Sequence, residues 1–194
     1  MDWSERYALG TTPWDMGRPH PELARRLASA ELAASRRPSV LVPGCGNGHD
    51  ARLLAESGCL VTALDLVSGL SAVVARSLEP YGGRFIAADA LTYRAPHDVL
   101  FEHTFFCALP LEQRTRYGEM AAACVVPGGA LHAVVFPANK PAELGGPPYG
   151  MTTEALAAAL GSRFDLVSDT AVAPVEGRDQ WTTRWATFQR VTDS

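Results

Sequence analysis

The chain has 194 residues, 47% hydrophobic and 20% charged, which is enough apolar material for one globular domain whose core needs neither metal nor disulfide. A formal net charge of -4, with no block of like charges, leaves no basic surface for a nucleic-acid backbone. No apolar run approaches the roughly 18 residues of a membrane span, and Asp2, Glu5 and Arg6 precede any such run, so the expectation is a cytoplasmic protein with a small-molecule partner, no nucleic acid and no membrane. Cys45, Cys59, Cys107 and Cys124 lie singly without metal-like spacing and read as free thiols, so no metal is expected.

Residues 1 to 20 are aromatic and turn-rich. Trp3 and Tyr7, four apart, can share a helix face, and the Gly- and Pro-rich run from Gly10 to Pro21 is too irregular to stand alone and must pack over something. Pro21 opens a helix expected to run to Ser35, with Leu23, Leu27 and Leu32 near one side. Short apolar strands then alternate with helices: strand Val40 to Val42, helix Asp50 to Glu56, strand Leu60 to Leu66, helix Gly69 to Leu78, strand Arg84 to Ala88, strand Val99 to Phe101 and helix Arg114 to Cys124. That helix closes near Pro127-Gly-Gly129, and Ala130 to Phe136 is the fifth strand. After a loop from Pro137 to Tyr149 comes a helix capped by Thr152 or Thr153, then two closing strands, Phe164 to Val172 and Trp185 to Val191. The pattern predicts one Rossmann-like α/β domain over 1–194. Its seven-stranded, mostly parallel sheet carries helices on both faces and an antiparallel C-terminal strand.

The chain is organised around Val40-Leu-Val-Pro-Gly44-Cys-Gly46-Asn-Gly48, followed by Val61-Thr-Ala-Leu-Asp65. A strand ending in a glycine turn, then a second strand ending on an acid, is the first half of a nucleotide site. The glycines allow close approach of the backbone, and the acid about 20 residues on accepts hydrogen bonds from a ribose. The spacing is G-x-G-x-G rather than the G-x-G-x-x-G of dinucleotide sites. The single lysine, Lys140, leaves no Tyr-x-x-x-Lys pair for a short-chain dehydrogenase, and there is no phosphate loop. The third and fourth strands run into Asp89 and Glu102, acids at the carboxyl edge that suit an adenosine better than a polyphosphate. S-adenosylmethionine is therefore the expected cofactor.

Six segments in order carry a resemblance: Thr12-Pro13-Trp14-Asp15-Met-Gly17, Leu41-Val-Pro-Gly-Cys-Gly46, Ala63-Leu-Asp65-Leu, Ala88-Asp89-Ala, Phe101-Glu-His-Thr-Phe-Phe-Cys-Ala-Leu109 and Gly145-Gly-Pro-Pro-Tyr149. With them the chain resembles the thiopurine S-methyltransferase-like family, above all its halide and thiol methyltransferase members. The resemblance implies that residues 1–20 form a cofactor cover in which Trp3, Tyr7 and Trp14 touch the cofactor. It implies that Gly44 lies against the methionine part, Asp65 binds the ribose, and Asp89 with Ala90 meets the adenine. His103 falls near the methionine moiety, where relatives carry a tyrosine or another polar residue, and Tyr149 falls on the acceptor side.

Other roles compete for the same residues. Asp65 could cap the helix after Ser68-Gly69, Asp89 could cap a turn, and Trp3 and Trp14 could be core aromatics. Histidines 20, 49, 97 and 132 read as structural or surface residues. Methyl transfer from a sulfonium to a soft anion needs alignment and exclusion of water more than a base, so the expected reaction is direct in-line S-methylation of a small thiol. A halide or thiocyanate is the alternative acceptor. An oxygen or nitrogen acceptor would need a base, for which His103 and Glu102 are the nearest candidates. A nicotinamide-dependent oxidoreductase and a catalytically idle cofactor-binding module are the alternatives from other classes. A monomer is expected.

Overall fold

The computed structural model describes residues 2–29, 37–177 and 180–192 and divides the chain into two units, Met1–Thr92 and Tyr93–Ser194. In the first unit, helix α1 (Trp3–Ala8) starts at Asp2, whose side chain accepts from Glu5 N–H at 3.2 Å. Helix α2 (Pro21–Ala28) begins on a proline, whose fixed φ suits a first helical position and whose missing N–H is not needed there. Leu23 anchors it in the core. The expected continuation from 30 to 35, with Leu32, lies outside the described residues.

Two βα units and a third strand follow: β1 (Ser39–Pro43), α3 (His49–Glu56), β2 (Leu60–Asp65), α4 (Ser71–Leu78) and β3 (Arg84–Ala87). The glycine at 69, expected inside the fourth helix, lies instead in a 3-10 turn, Ser68–Leu70, that leads into it. β1 and β2 bury nearly every residue, as parallel strands covered on both faces do. Their register places Pro43 opposite Leu64 and Asp65 opposite Ala87. The three strands of this unit therefore end side by side, and the glycine turn, Asp65 and the segment after Ala87 emerge from one edge.

The second unit holds β4 (His97–His103), α5 (Arg114–Cys124), β5 (Val125–Val135), α6 (Thr153–Leu160), β6 (Phe164–Val172) and β7 (Thr183–Arg190). β4 and β5 are parallel, and β7 runs antiparallel to both β5 and β6. The strands form a seven-stranded sheet in the order β3-β2-β1-β4-β5-β7-β6, mostly parallel with an antiparallel C-terminal strand, as expected. β4 runs from His97 to His103 rather than from Val99 to Phe101, and the start of β5 differs most. β5 starts at Val125, straight after α5, and the Pro127-Gly-Gly129 expected to separate them lies within it. Val125 already pairs with His97, and the register slips between His97 and Val99, so the Pro and Gly residues mark an irregularity in a strand rather than a loop. Thr152 is the cap of α6, its hydroxyl accepting from Ala155 N–H at 3.1 Å. Trp185, Phe101, Phe188 and Leu131 are fully buried and form the centre of this unit. No helix among the described residues is long and apolar enough to cross a membrane.

Helices α5 and α6 touch where Gly118 faces Ala159: a Cβ on residue 118 would fall 1.7 Å from the Ala159 carbonyl oxygen. That contact is possible only without a side chain, so Gly118→Ala forces the helices apart. Although alanine is the better helix former, the substitution is expected to destabilise the protein by about 1–3 kcal/mol. Chemical denaturation measures this, and a variant as stable as the parent would refute the contact.

Candidate functional site

The turn after β1 is built on residues that accept left-handed backbone. Gly44, Gly46 and Gly48 have φ of 60°, 54° and 77°. At Gly46 the requirement is double, because a Cβ would also lie 2.7 Å from the Tyr7 hydroxyl. The turn is fastened to the neighbouring strand by Cys45 N–H, which donates to the Leu64 carbonyl at 2.9 Å, and by Gly46 N–H, which donates to Asp65 Oδ2 at 2.9 Å.

Asp65 thus joins the ends of two strands. Its other oxygen, Oδ1, accepts from Val67 N–H at 2.9 Å. Burial raises the pKa of this carboxyl, against the pull of the Val67, Gly46 and Leu66 amides. A carboxylate has about four acceptor positions, so two such bonds leave capacity for hydroxyl donors. Asp65 does not cap α4, whose N-cap is Leu70. Leu66, the next residue, is 57% exposed, a large apolar side chain at the open edge beside the acid. On the next strand, Ala88 N–H donates to the Asp65 carbonyl at 3.0 Å, which brings Asp89 alongside. Asp89 Oδ1 accepts from Leu91 N–H at 2.9 Å, so it does cap the turn that follows, and Ala90 is buried beneath it.

The N-terminal segment packs onto this turn through its aromatic residues. Trp14 meets Trp3 and Tyr7 edge-to-face at centroid distances of 5.3 and 5.8 Å, and its indole N–H donates to the Tyr7 hydroxyl at 3.2 Å. Burial, only partly offset by that indole, pushes the Tyr7 phenol up to about 12. Asp15 takes a hydrogen bond from the Asn47 amide and lies 3.2 Å from His49 Nε2, while Asp50 Oδ1 accepts from His20 N–H at 2.7 Å. The segment is tied to the glycine turn and to the start of α3 at three places.

In the second unit, β4 ends at His103, which is half-buried. Thr104, at φ 64°, is the one described non-glycine residue in left-handed backbone, a costly state for a β-branched side chain. Glu102 holds the turn beyond it: Oε1 accepts from both Phe105 and Phe106 N–H at 2.8 Å. The Gly-Gly-Pro-Pro-Tyr loop returns to the same turn, with Tyr149 N–H donating to the Cys107 carbonyl at 2.7 Å. Trp3, Tyr7, Trp14, Gly44, Asp65, Asp89 and Ala90 thus all belong to the first unit, and His103 and Tyr149 to the second.

The family model described as thiopurine S-methyltransferase matches residues 1–187. The chain belongs to that family. As a thiopurine S-methyltransferase family member it is a methyltransferase, and S-adenosylmethionine is its methyl donor. It is 30% identical over 194 residues to the probable thiol methyltransferase 2 of Arabidopsis thaliana, an alignment covering 92% of this chain and 81% of that protein. Thiocyanate methyltransferase 1 of the same plant is 31% identical over 156 residues, covering 76% of this chain and 65%, just under two thirds, of that protein. Among solved structures, the 1,6-didemethyltoxoflavin-N1-methyltransferase of Burkholderia thailandensis with bound S-adenosylhomocysteine shares the fold. Its TM-score is 0.74 at 22% identity, covering 97% of this chain and 85% of that one.

Sequence patterning placed the acids of this family member but not the direction in which each points. Glu102 was weighed as a candidate base, yet it is fully buried and faces the equally buried Tyr117 hydroxyl. Arg114, expected only as the first residue of a helix, is 9% exposed. An acid inside an apolar strand with an aromatic helix to follow was the only signal for either.

Burial pushes the Glu102 carboxyl up to about 7, the Phe105 and Phe106 amides and Tyr117 opposing it. A carboxyl raised from its ordinary 4.5 keeps its proton in the folded state after the unfolded chain has lost it. Its contribution to stability is therefore complete below pH 4.5 and is lost as pH rises to about 7. In Glu102→Gln the amide oxygen keeps the two backbone bonds, and nothing titrates. Relative to the parent, this variant should gain stability across that window, by about 3 kcal/mol at most, and no further above it. Parallel denaturation curves for the two proteins from pH 4.5 to 8 would show that Glu102 does not titrate there.

Proposed function

We propose that this protein methylates a small thiol at sulfur, by direct in-line transfer and without an obligatory general base. The observation that carries the reading is the state of Glu102: the acid at the end of β4 points inward, binds two backbone amides and holds its proton up to about 7. It is not a base available to an acceptor. A nucleophile that brings its own negative charge needs none, and a thiol of pKa about 8.5 is partly ionised near neutrality. The relatives named for thiol and thiocyanate support the same chemistry, and a thiocyanate ion would need no base either.

The residues of the first unit fit the donor. The side-chain-free turn at Gly44 and Gly46 gives the backbone close approach to the methionine part, and Asp65 keeps acceptor capacity for the ribose hydroxyls. Asp89 and Ala90 flank the adenine, and exposed Leu66 offers it an apolar face. When bound, S-adenosylmethionine supplies an electrophilic methyl group on a sulfonium. Trp3, Tyr7 and Trp14 exclude water there, and aromatic faces near the sulfonium would add on the order of 0.5–2 kcal/mol. Residues 1–20 thus act as a cover within one methyltransferase domain, 1–194. In this reading His103 adjoins the methionine part and Tyr149 the acceptor.

Asp65→Ala removes the ribose contact and is expected to weaken S-adenosylhomocysteine binding at least tenfold, charge-assisted bonds being worth about 1.5–3 kcal/mol each. Titration calorimetry tests it, and equal affinity in mutant and parent would remove Asp65 from the site. The base-free reaction is tested with thiols of different pKa. Log kcat/KM should rise with pH at slope near one and level off at each thiol's own pKa, with His103→Gln changing the rate by less than about 100-fold. A break fixed across thiols and lost in His103→Gln would instead make His103 the base and turn the acceptor toward oxygen or nitrogen.

A further inference from the structure

Tyr149 is held on both sides by one short stretch of chain. Its own N–H donates to the Cys107 carbonyl at 2.7 Å, and the carbonyl of the following residue, Gly150, accepts from Arg114 Nη2 at 2.9 Å. The same guanidinium lies over the Phe106 ring, its central carbon 4.4 Å from the centroid. The ring of Tyr149 folds back against Gly146, where a Cβ would lie 2.5 Å from Tyr149 Cγ. The direction of the phenol is thus fixed by the loop backbone, and the loop backbone by Arg114 and Cys107.

A guanidinium is an expensive way to fill that space. Arg114 is 9% exposed, burial lowers its pKa, and its Nε has no hydrogen-bond partner. An apolar side chain would pack there at lower cost in desolvation, and buried charges are often neutral or unfavourable for stability. What arginine alone provides is a flat face for stacking together with a rigid edge for donation, and both are in use here.

We propose that Arg114 is a positioning residue, which fixes Tyr149 and through it sets the affinity for the methyl acceptor. The inference rests on the reading that Tyr149 lies on the acceptor side. Arg114→Lys keeps the buried charge, so the protein folds, but cannot both stack on Phe106 and reach Gly150. The probe is whichever of benzenethiol, hydrosulfide and thiocyanate the parent methylates fastest; methylation of none of them removes the premise and the proposal with it. In Arg114→Lys the KM for that probe should rise at least fivefold. kcat and the Kd for S-adenosylhomocysteine should stay within twofold, and the Tyr149 amide should exchange at least tenfold faster. Tyr149→Ala should raise KM similarly, and the double variant should be no worse than either single one. Arg114→Met should repeat the effect if it folds. Unchanged KM and exchange in Arg114→Lys, or effects that multiply in the double variant, would overturn the role of Arg114 while leaving Tyr149 on the acceptor side. An unchanged KM in Tyr149→Ala would overturn the proposal through its premise.

Discussion

The Asp65 carboxylate binding the Gly46 amide is the constraint on which the first unit depends. Neither β1 nor β2 alone could hold a turn of three left-handed glycines in one shape. The bond from Gly46 N–H to Oδ2, and the bond from Val67 N–H to Oδ1, make one buried side chain the fixed point for both strand ends. Burial opposes the charge and the amides favour it, so the carboxylate is stable only while the turn keeps its shape. The shape in turn demands glycine at 46, because the Tyr7 hydroxyl occupies the space a side chain would need. The glycine pattern, the acid and the aromatic cover are therefore one solution rather than three separate features.

Glu102 presents the same chemistry with the opposite result. It too lies at the end of a parallel strand and accepts two backbone N–H bonds, yet it is fully buried and held protonated to about 7. The difference is depth. Asp65 is only half-buried at the end of its strand, whereas Glu102 faces the Tyr117 hydroxyl inside the fold. Two acids at comparable sequence positions thus divide into one half-buried at a sheet edge and one enclosed as a structural brace, through environment alone. The brace holds Thr104 in its strained conformation, since the two amides that Glu102 takes up belong to the residues directly beyond it.

The sheet was legible because its strands are short apolar runs between glycine or proline breaks, and α5 and β6 begin and end where periodicity put them. The glycine turn and Asp65 were legible for the same reason: their spacing follows from one βαβ unit. Side-chain direction was not. A strand buried on both faces has no alternating pattern, so nothing local distinguishes Glu102 turned inward from Glu102 turned toward a ligand. The role of Arg114 at the start of a helix was not legible because its partners, Phe106 and Gly150, are 8 and 36 residues away. His20 and His49 read as bland, and their ties to Asp50 and Asp15 join segments about 30 residues apart that only the fold brings together. The start of β5 was misplaced because Pro127-Gly-Gly129 signals a turn locally, while pairing with β4 overrides it.

These acids share one use, and it bears on the chemistry. Asp15 and Asp50 hold the N-terminal segment, Asp65 the glycine turn, Asp89 the turn after β3 and Glu102 the turn after β4, each through a hydrogen bond to an amide or, for Asp15 and His49, a ring nitrogen. An acid whose oxygens are engaged in holding a turn is poorly placed to shuttle a proton to and from an acceptor. Glu102, the exception that is protonated, faces the interior. Acids occupied in this way support the proposed reaction, in which the acceptor arrives already ionised, over one in which a proton must be removed from a neutral hydroxyl or amine.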